Sequence, residues 1–441
     1  MLDRFSVIAV CGVVATGILT LAFPEAGVAA LVVAVLGTAA IFIFRKYSDE
    51  EKIFVTKIFL IALAVRLAFG ILVHFFDLRE FFGGDANTYD IRGNLLAELW
   101  AGRGSASATT SGPGWGMYYI VGGLYTIFGR NILAAQSFCA VFGAATAPLV
   151  YFCSQKLFKN RKVSRFSAIG VAIFPSFIIW SSQLMKDGLI IFLLVLSFTM
   201  VLQLQEKFNY GAVLLLVFSL FGIIALRFYI FYMVAIAVAG SFIVGTTNSI
   251  QSLVRRSLVL VLIGVSLTYL GVIRNAGVDF ENYGDLKRVQ ISRLDLSRAG
   301  SGFGEKVDVS TPEGAISVIP LGFAYLMLAP FPWQMANLRQ ASTLPEVLLW
   351  WSMIPLLISG LWYTMKNKLR AAFPVLLFTV MLTLAYSIFQ GNVGTAYRQR
   401  TQIQVFLFMF IGVGWTLYQE RKEDKRALNA MRHRRLVTSP E

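Results

Sequence analysis

Charged residues that could perform group transfer lie at the ends of apolar segments. Asp85 follows an apolar segment in FFGGDANTYD, and Asp187 lies in WSSQLMKD between two others. Arg398 and Arg400 lie in GNVGTAYRQRTQ, ahead of the last apolar segment. A positioned carboxylate can accept the proton of an attacking hydroxyl, and arginine binds phosphate oxygens through two parallel hydrogen bonds. These residue types indicate transfer of a group that is carried on a phosphate.

Composition indicates which kind of element holds these residues. Of the 441 residues, 57% are apolar and 14% charged, against about 45–50% and 25% in soluble domains. Such an apolar excess cannot be buried in one core and must face lipid. The chain has only two histidines and three cysteines and lacks a P-loop motif. A histidine-rich zinc site, a disulfide scaffold and direct nucleotide hydrolysis are therefore not expected.

Hydropathy predicts an all-α, polytopic membrane helical bundle. A spanning helix needs about 20 mostly apolar residues, and about twelve segments qualify. They are residues 5–23, 26–44, 53–76, 132–153, 165–182, 188–204, 210–226, 228–246, 257–273, 344–363, 371–389 and 401–418. Two shorter apolar stretches, 114–128 and 316–331, are typical of interfacial or re-entrant segments.

Basic residues predict the orientation of the bundle. With both termini cytoplasmic, lysine and arginine are in excess on the inner side and balanced by acids on the outer side, as the positive-inside rule requires. Most of the net charge of +15 then reflects topology. The basic tail 419–441 is expected beside anionic lipid, so no nucleic-acid partner is expected. We predict a multi-pass protein of the plasma or inner membrane.

Two outer loops, 77–131 and 274–315, are long enough to carry a site. In the first, Asp85 marks a helix start, and the helix that follows has one apolar face, formed by Ile91, Leu95, Leu99 and Trp100. That helix and the aromatic segment WGMYYIVGGLYTIFG are predicted to lie in the membrane interface. Asp85 is then either a helix cap or a functional acid at the outer membrane surface.

The other candidate residues also have two interpretations. Asp187 with Lys186 forms either a tight, hydrated turn or part of one site with Asp85. Arg398 and Arg400 either anchor to headgroups or bind a phosphate. Lys186, Asn392 and Tyr397, together with Tyr89 one turn after Asp85, are further candidate substrate-binding residues. Arg66, within the third predicted span, is expected to be paired or functional.

These motifs resemble the GT-C superfamily of membrane glycosyltransferases, which includes the protein O-mannosyltransferases and the lipid A aminoarabinose transferases. The matching features are the Arg66–Leu67 pair, Asp85 in GGDANTYD, Asp187 in WSSQLMKD after Pro175, and the Tyr397–Arg398 pair. The resemblance is closest over residues 53–250. The chain departs from it in having a lone Asp85 where some members carry paired acids, and an additional hairpin within residues 1–52.

The resemblance implies transfer of one sugar from a polyprenyl-phosphate-sugar donor to a lipid, glycan or protein acceptor on the extracytoplasmic face. Asp85 would be the general base of this inverting reaction, and Asp187 the acid of the second outer loop. Carboxylates could bind Mg²⁺ or Mn²⁺, but the sequence does not require a metal. The implied organisation is an N-terminal hairpin (1–52), a GT-C-like module (53–250), a C-terminal transmembrane region (251–418) and the tail.

Three other classes stay open at this point. An O-antigen polymerase or ligase would also have about twelve spans and outer arginines, but would act on a lipid-pyrophosphate glycan. A transporter would usually carry polar sites midway on broken helices and show two similar halves. An inactive structural subunit would tolerate changes at Asp85 and Arg398.

Overall fold

The computed structural model describes residues 24–47, 50–103, 114–244, 250–269, 285–335 and 338–438. Within these ranges every named secondary-structure element is a helix, as the all-α prediction requires. The predicted span 5–23 lies outside the described residues. In chain order the helices are α1 (Pro24–Lys46), α2 (Lys52–Phe75), α3 (Arg79–Phe82), α4 (Asp85–Trp100), α5 (Trp115–Phe128), α6 (Ile132–Phe158), α7 (Arg161–Ile173), α8 (Pro175–Ser181), α9 (Lys186–Glu206), α10 (Tyr210–Val244), α11 (Ile250–Tyr269), α12 (Leu286–Ser297), α13 (Pro312–Leu328), a 3₁₀ turn (Pro332–Gln334), α14 (Leu338–Ala341), α15 (Leu344–Asn367), α16 (Leu369–Phe389) and α17 (Val393–Thr438).

Eight helices in the described part of the chain are long and apolar enough to cross a membrane, or nine if α7 and α8 together form one span. They are α1, α2, α6, α9, α10, α15, α16 and α17. The predicted number of twelve is not confirmed. Of the span predicted at 257–273, only Ser257–Tyr269 is described, as a shorter apolar helix, and Pro312–Leu328 is likewise short.

The span predicted at 165–182 is broken rather than continuous. α7 and α8 meet at an angle of 54°, and Phe174 between them has an extended backbone (φ −68°, ψ 129°). Pro175 explains the break, because proline lacks an N–H and disfavours helical geometry in the residue before it.

Helix α10 turns back on itself at Arg227, whose backbone is non-helical (φ −157°, ψ 88°). Ser219 before the turn pairs with Ser197 of α9, whereas Ser241 after it accepts from Gln205, near the other end of α9. The two halves therefore run in opposite directions along α9. These contacts favour the two spans predicted at 210–226 and 228–246. The count of eight candidate spans treats them as one helix.

The centre of the bundle is built on α17. Its residues 401–414 are all buried, and Phe406, Phe408 and Phe410 are among the largest fully buried side chains. Over residues 405–414 the helix is apolar on all sides, which is typical of an interior helix. α15 approaches it closely at Gly360, where a Cβ would lie 1.9 Å from the carbonyl oxygen of Phe410, and small residues of this kind permit close helix contacts in membranes.

Candidate active site

Asp85 is the first residue of α4, but it does not cap that helix. The N-cap is Gly84, and no side-chain cap hydrogen bond is made there. Instead, the Oδ2 atom of Asp85 accepts a hydrogen bond of 2.7 Å from Nη1 of Arg398. The Asp85 side chain is 49% exposed. This carboxylate is therefore directed toward a second charged group and remains accessible.

Asp187 lies in the first turn of α9 and is fully buried. Its Oδ2 atom lies 2.7 Å from Nε of Arg398, and its Oδ1 atom lies 3.4 Å from Nη2 of Arg227. The interpretation of this segment as a tight, hydrated turn is wrong, because burial leaves Asp187 to arginine partners rather than to water.

Arg398 joins the two carboxylates. The span predicted from residue 401 begins eight residues earlier, at Val393, so Arg398 lies in the second turn of α17. Its guanidinium bonds Asp85 and Asp187, which are 313 and 211 residues away in the sequence, and it lies over the ring of Trp180 at 5.6 Å. The two aspartates and this arginine, each singled out from sequence, thus meet at one end of the bundle, here called the site end.

Two further cations accompany Arg398. Arg227, at the turn of α10, is buried, and its Nη1 atom donates no hydrogen bond to a described residue. Lys186 immediately precedes Asp187 on α9, is partly buried, and lies close enough to Asp187 and Asp85 to interact electrostatically with both. Three cations against two carboxylates leave the cluster with one excess positive charge. An environment of this sign favours an anion.

Tyr89 lies on α4 one turn after Asp85 and is buried, with its ring 5.9 Å from that of Tyr118. Burial, reinforced by the Asp85 carboxylate, raises the pKa of Tyr89 above its ordinary value. The phenol therefore stays neutral at physiological pH and can donate a hydrogen bond.

The buried carboxylate of Asp90 on α4 connects this helix to α5 and to Arg130 just after it. Asp90 accepts from the hydroxyl of Tyr125 at 2.7 Å and from Nη2 of Arg130 at 2.5 Å. Burial raises the pKa of Tyr125, as does its bond to Asp90. The two helices predicted in the first long loop are thus present and tied together, which steadies the start of α4 where Asp85 lies. Their position in the membrane interface stays a prediction.

Three predicted residues point away from the carboxylates. Asn392 caps α17 by accepting from the N–H of Thr395, and it also accepts from Ser301. Tyr397 donates to Glu346 at 2.5 Å. Arg400 is fully buried and donates to the main-chain oxygens of Met327 and Ala329. The structure therefore does not place the Arg400 guanidinium in the cluster in which Arg398 contacts the two carboxylates.

Arg66, which lies within α2, is paired with polar groups of other helices, one of the two roles expected for it. It donates to the main-chain oxygens of Ala172 and Val171, at the end of α7, and to the hydroxyl of Ser181. These carbonyls lack helical partners because α7 ends there. Arg66 thus stabilises the broken pair α7–α8, which leads directly into Asp187.

Sequence reasoning missed Glu346 and Trp180. Glu346 is an acid two residues into a predicted span, which is a recognisable feature, because acids at membrane depth are uncommon. Trp180 was part of WSSQLMKD but had no charge to draw attention to it.

The described residues contain no group of three or more histidine, cysteine or acidic side chains arranged to hold a metal. At the cluster itself, the cation between Asp85 and Asp187 is the guanidinium of Arg398. A protein side chain therefore already supplies positive charge to the two carboxylates.

Comparison with known families found a matching family model. Residues 93–273 match the family model described as dolichyl-phosphate-mannose-protein mannosyltransferase. The family so described consists of membrane glycosyltransferases of the GT-C type, so the match confirms the predicted glycosyltransferase class. The match covers less than half of the chain and includes Lys186, Asp187 and Arg227, whereas Asp85 and Arg398 lie outside it. Searches of curated proteins and of solved structures found no match.

Proposed function

We propose that this glycosyltransferase moves a single sugar from a polyprenyl-phosphate-sugar donor to an acceptor hydroxyl at the site end, which the charge distribution predicts to be extracytoplasmic. The observation that carries the proposal is the meeting of Asp85, Asp187 and Arg398 in one cluster. Mannose is the first sugar to test, because the matching family model describes a dolichyl-phosphate-mannose donor. The acceptor to test first is a protein hydroxyl, since the same description names protein.

In this reaction the acceptor oxygen attacks the anomeric carbon from the face opposite the phosphate. The new carbon–oxygen bond forms as the bond to the phosphate oxygen breaks, and the configuration inverts. Asp85 accepts the hydroxyl proton. The leaving polyprenyl phosphate keeps the bonding electron pair, so its negative charge must be stabilised.

The cations suited to this task differ from those expected from sequence. Arg398, Arg227 and Lys186 lie around the carboxylates, whereas Arg400 does not. Preorganised positive groups in a site with little water stabilise developing charge far better than bulk solvent does. We assign donor-phosphate binding to these three residues, with Asp187 holding the two arginines in place.

Asp85 suits the base role because only one of its oxygens is engaged. Oδ2 accepts from Arg398, while Oδ1 takes no hydrogen bond from the described residues. A donor phosphate would compete with Asp85 for the guanidinium, and this competition would free the carboxylate for the acceptor.

The test is sugar transfer by purified protein in liposomes, supplied with polyprenyl-phosphate mannose and a serine- and threonine-containing peptide. Asp85→Asn should lower transfer by roughly 10²–10⁴-fold, the usual contribution of a general base. Glu98→Gln is the matched control, since Glu98 is an exposed acid on the same helix, paired with Arg103. It should leave transfer unchanged.

Two results would contradict the proposal. Full activity of the Asp85→Asn variant would show that Asp85 is not the general base. Transfer only from a lipid-pyrophosphate oligosaccharide, with none from the monophosphate sugar, would favour the O-antigen polymerase or ligase class.

A further inference from the structure

A second buried polar cluster lies behind the site, on α8, α15 and α17. Its centre is Glu346, which is only 4% exposed. The Oε1 atom of Glu346 accepts from the hydroxyl of Ser176 at 2.6 Å, and Oε2 accepts from the hydroxyl of Tyr397 at 2.5 Å. The cluster therefore ties three helices together at one point.

A buried carboxylate is costly unless several groups compensate it. Glu346 has two hydroxyl donors, and it lies in the first turn of α15, where the helix dipole favours an acid. It also faces Tyr397, and the guanidinium of Arg400 lies 5.1 Å from the centre of the Tyr397 ring. With every part of this arrangement buried, a change at Glu346 is expected to move Tyr397.

Tyr397 immediately precedes Arg398, so its position affects the site directly. Trp180 lies between the two clusters: its ring is 6.4 Å from that of Tyr397 and 5.6 Å from the guanidinium carbon of Arg398. Fixing Tyr397 against Glu346 and Trp180 sets the rotation of the first turns of α17 about its axis. That rotation decides whether the Arg398 guanidinium reaches both Asp85 and Asp187.

We propose that Glu346 is a positioning residue for Arg398, acting through the Tyr397 hydroxyl. It does not touch the substrate. The inference rests on the proposed function in that Arg398 is taken to bind the donor phosphate. Because catalysis requires near-optimal geometry, a displacement of about 1 Å in the guanidinium is expected to cost up to about 100-fold in rate.

The experiment is a double-mutant cycle between Glu346→Gln and Arg398→Lys. Two quantities are measured for each variant: kcat for mannose transfer, and the Kd of polyprenyl monophosphate, which needs no turnover. Glu346→Gln alone should lower kcat about 10- to 100-fold and weaken lipid-phosphate binding about 10-fold. In the Arg398→Lys background it should cause little further loss in either quantity, because residues that act through one another are not additive.

Tyr397→Phe provides a second variant that removes the same hydrogen bond while it keeps the ring, and it carries the test if Glu346→Gln does not fold. Ser197→Ala is the matched control, because it removes a buried hydroxyl pair with Ser219 away from the site. It should change neither kcat nor Kd in either background.

Losses that add fully in the double variant would overturn the inference and assign Glu346 a general structural role. The two proposals fail separately. Coupled changes in lipid-phosphate binding without any sugar transfer would contradict the proposed function alone, whereas active enzyme with additive losses would contradict the role of Glu346 alone.

Discussion

Among the described residues, the arginines that are fully or mostly buried fall into two groups that differ in their partners. Arg66, Arg293 and Arg400 donate to main-chain oxygens where a helix ends: Arg66 at the end of α7, Arg293 to Ile388 and Gln390 at the end of α16, and Arg400 to Met327 and Ala329 at the end of α13. Arg398 and Arg227 instead face carboxylates at the site end.

This difference separates structural from exchangeable charge. Carbonyl oxygens at a helix C-terminus lack helical partners and carry the negative end of the helix dipole, so a cation there completes the fold. A guanidinium bound to a carboxylate in an accessible cluster can exchange that partner for a phosphate, which it binds with similar geometry. The same residue type is thus expected to affect stability in one group and activity in the other.

Among changes to the cations, the largest expected effect is that of Arg398→Met. Loss of this guanidinium should lower transfer about 10²–10³-fold per folded molecule, the usual cost of removing one preorganised charge-stabilising donor. Transfer rate and the fraction of correctly folded protein are measured together.

Arg293→Met is the control for that variant, since Arg293 is also an interior arginine but donates to main-chain carbonyls rather than to carboxylates. It should lower thermal stability while transfer per folded molecule stays unchanged. Equal losses of activity in the two variants would abolish the division into two groups.

Lys186→Gln should have the next largest effect. Removing one cation from the anion-binding cluster should raise KM for the donor roughly 10–100-fold, corresponding to about 1.5–3 kcal/mol for a charged hydrogen bond. KM for the acceptor should not change. A rise in the acceptor KM alone would instead assign Lys186 to the acceptor.

Arg66→Met should act on stability. It leaves the carbonyl oxygens of Ala172 and Val171 without a donor, and each buried polar group left unpaired costs about 1–3 kcal/mol. Thermal unfolding in detergent measures the loss. A variant as stable as the parent would mean that water replaces the guanidinium at the break before Pro175.

Span positions were predictable where a helix is continuous and uniformly apolar. α6 and α9 contain the spans predicted at 132–153 and 188–204 and extend beyond them at one or both ends. Breaks were not predictable from hydropathy alone: the bend before Pro175 leaves the apolar run intact. The start of α17 is predicted too late, because Arg398 and Arg400 interrupt the hydropathy although Arg400 is fully buried and Arg398 mostly so.

That error explains the misplaced role of Arg400. Taken as a loop, residues 397–400 have no fixed directions, so both arginines could be assigned to one phosphate. In a helix each residue advances about 100°, and side chains two positions apart point to nearly opposite sides. Asp85 and Asp187 are predictable from sequence because each lies in the first turn of a helix, next to an apolar segment. The partners of Glu346 are set instead by packing between segments far apart in sequence.

The smallest expected effect is that of metal removal, which sharpens the contrast between the two kinds of cation. Because the Arg398 guanidinium already lies between Asp85 and Asp187, a divalent ion is not needed to neutralise them or to bind the donor phosphate. Transfer measured in EDTA should equal transfer in Mg²⁺ or Mn²⁺. Activity that falls in EDTA and returns with either ion would mean that the carboxylates exchange their arginine for a metal during the reaction, and the donor phosphate would then bind the metal ion rather than the arginines alone.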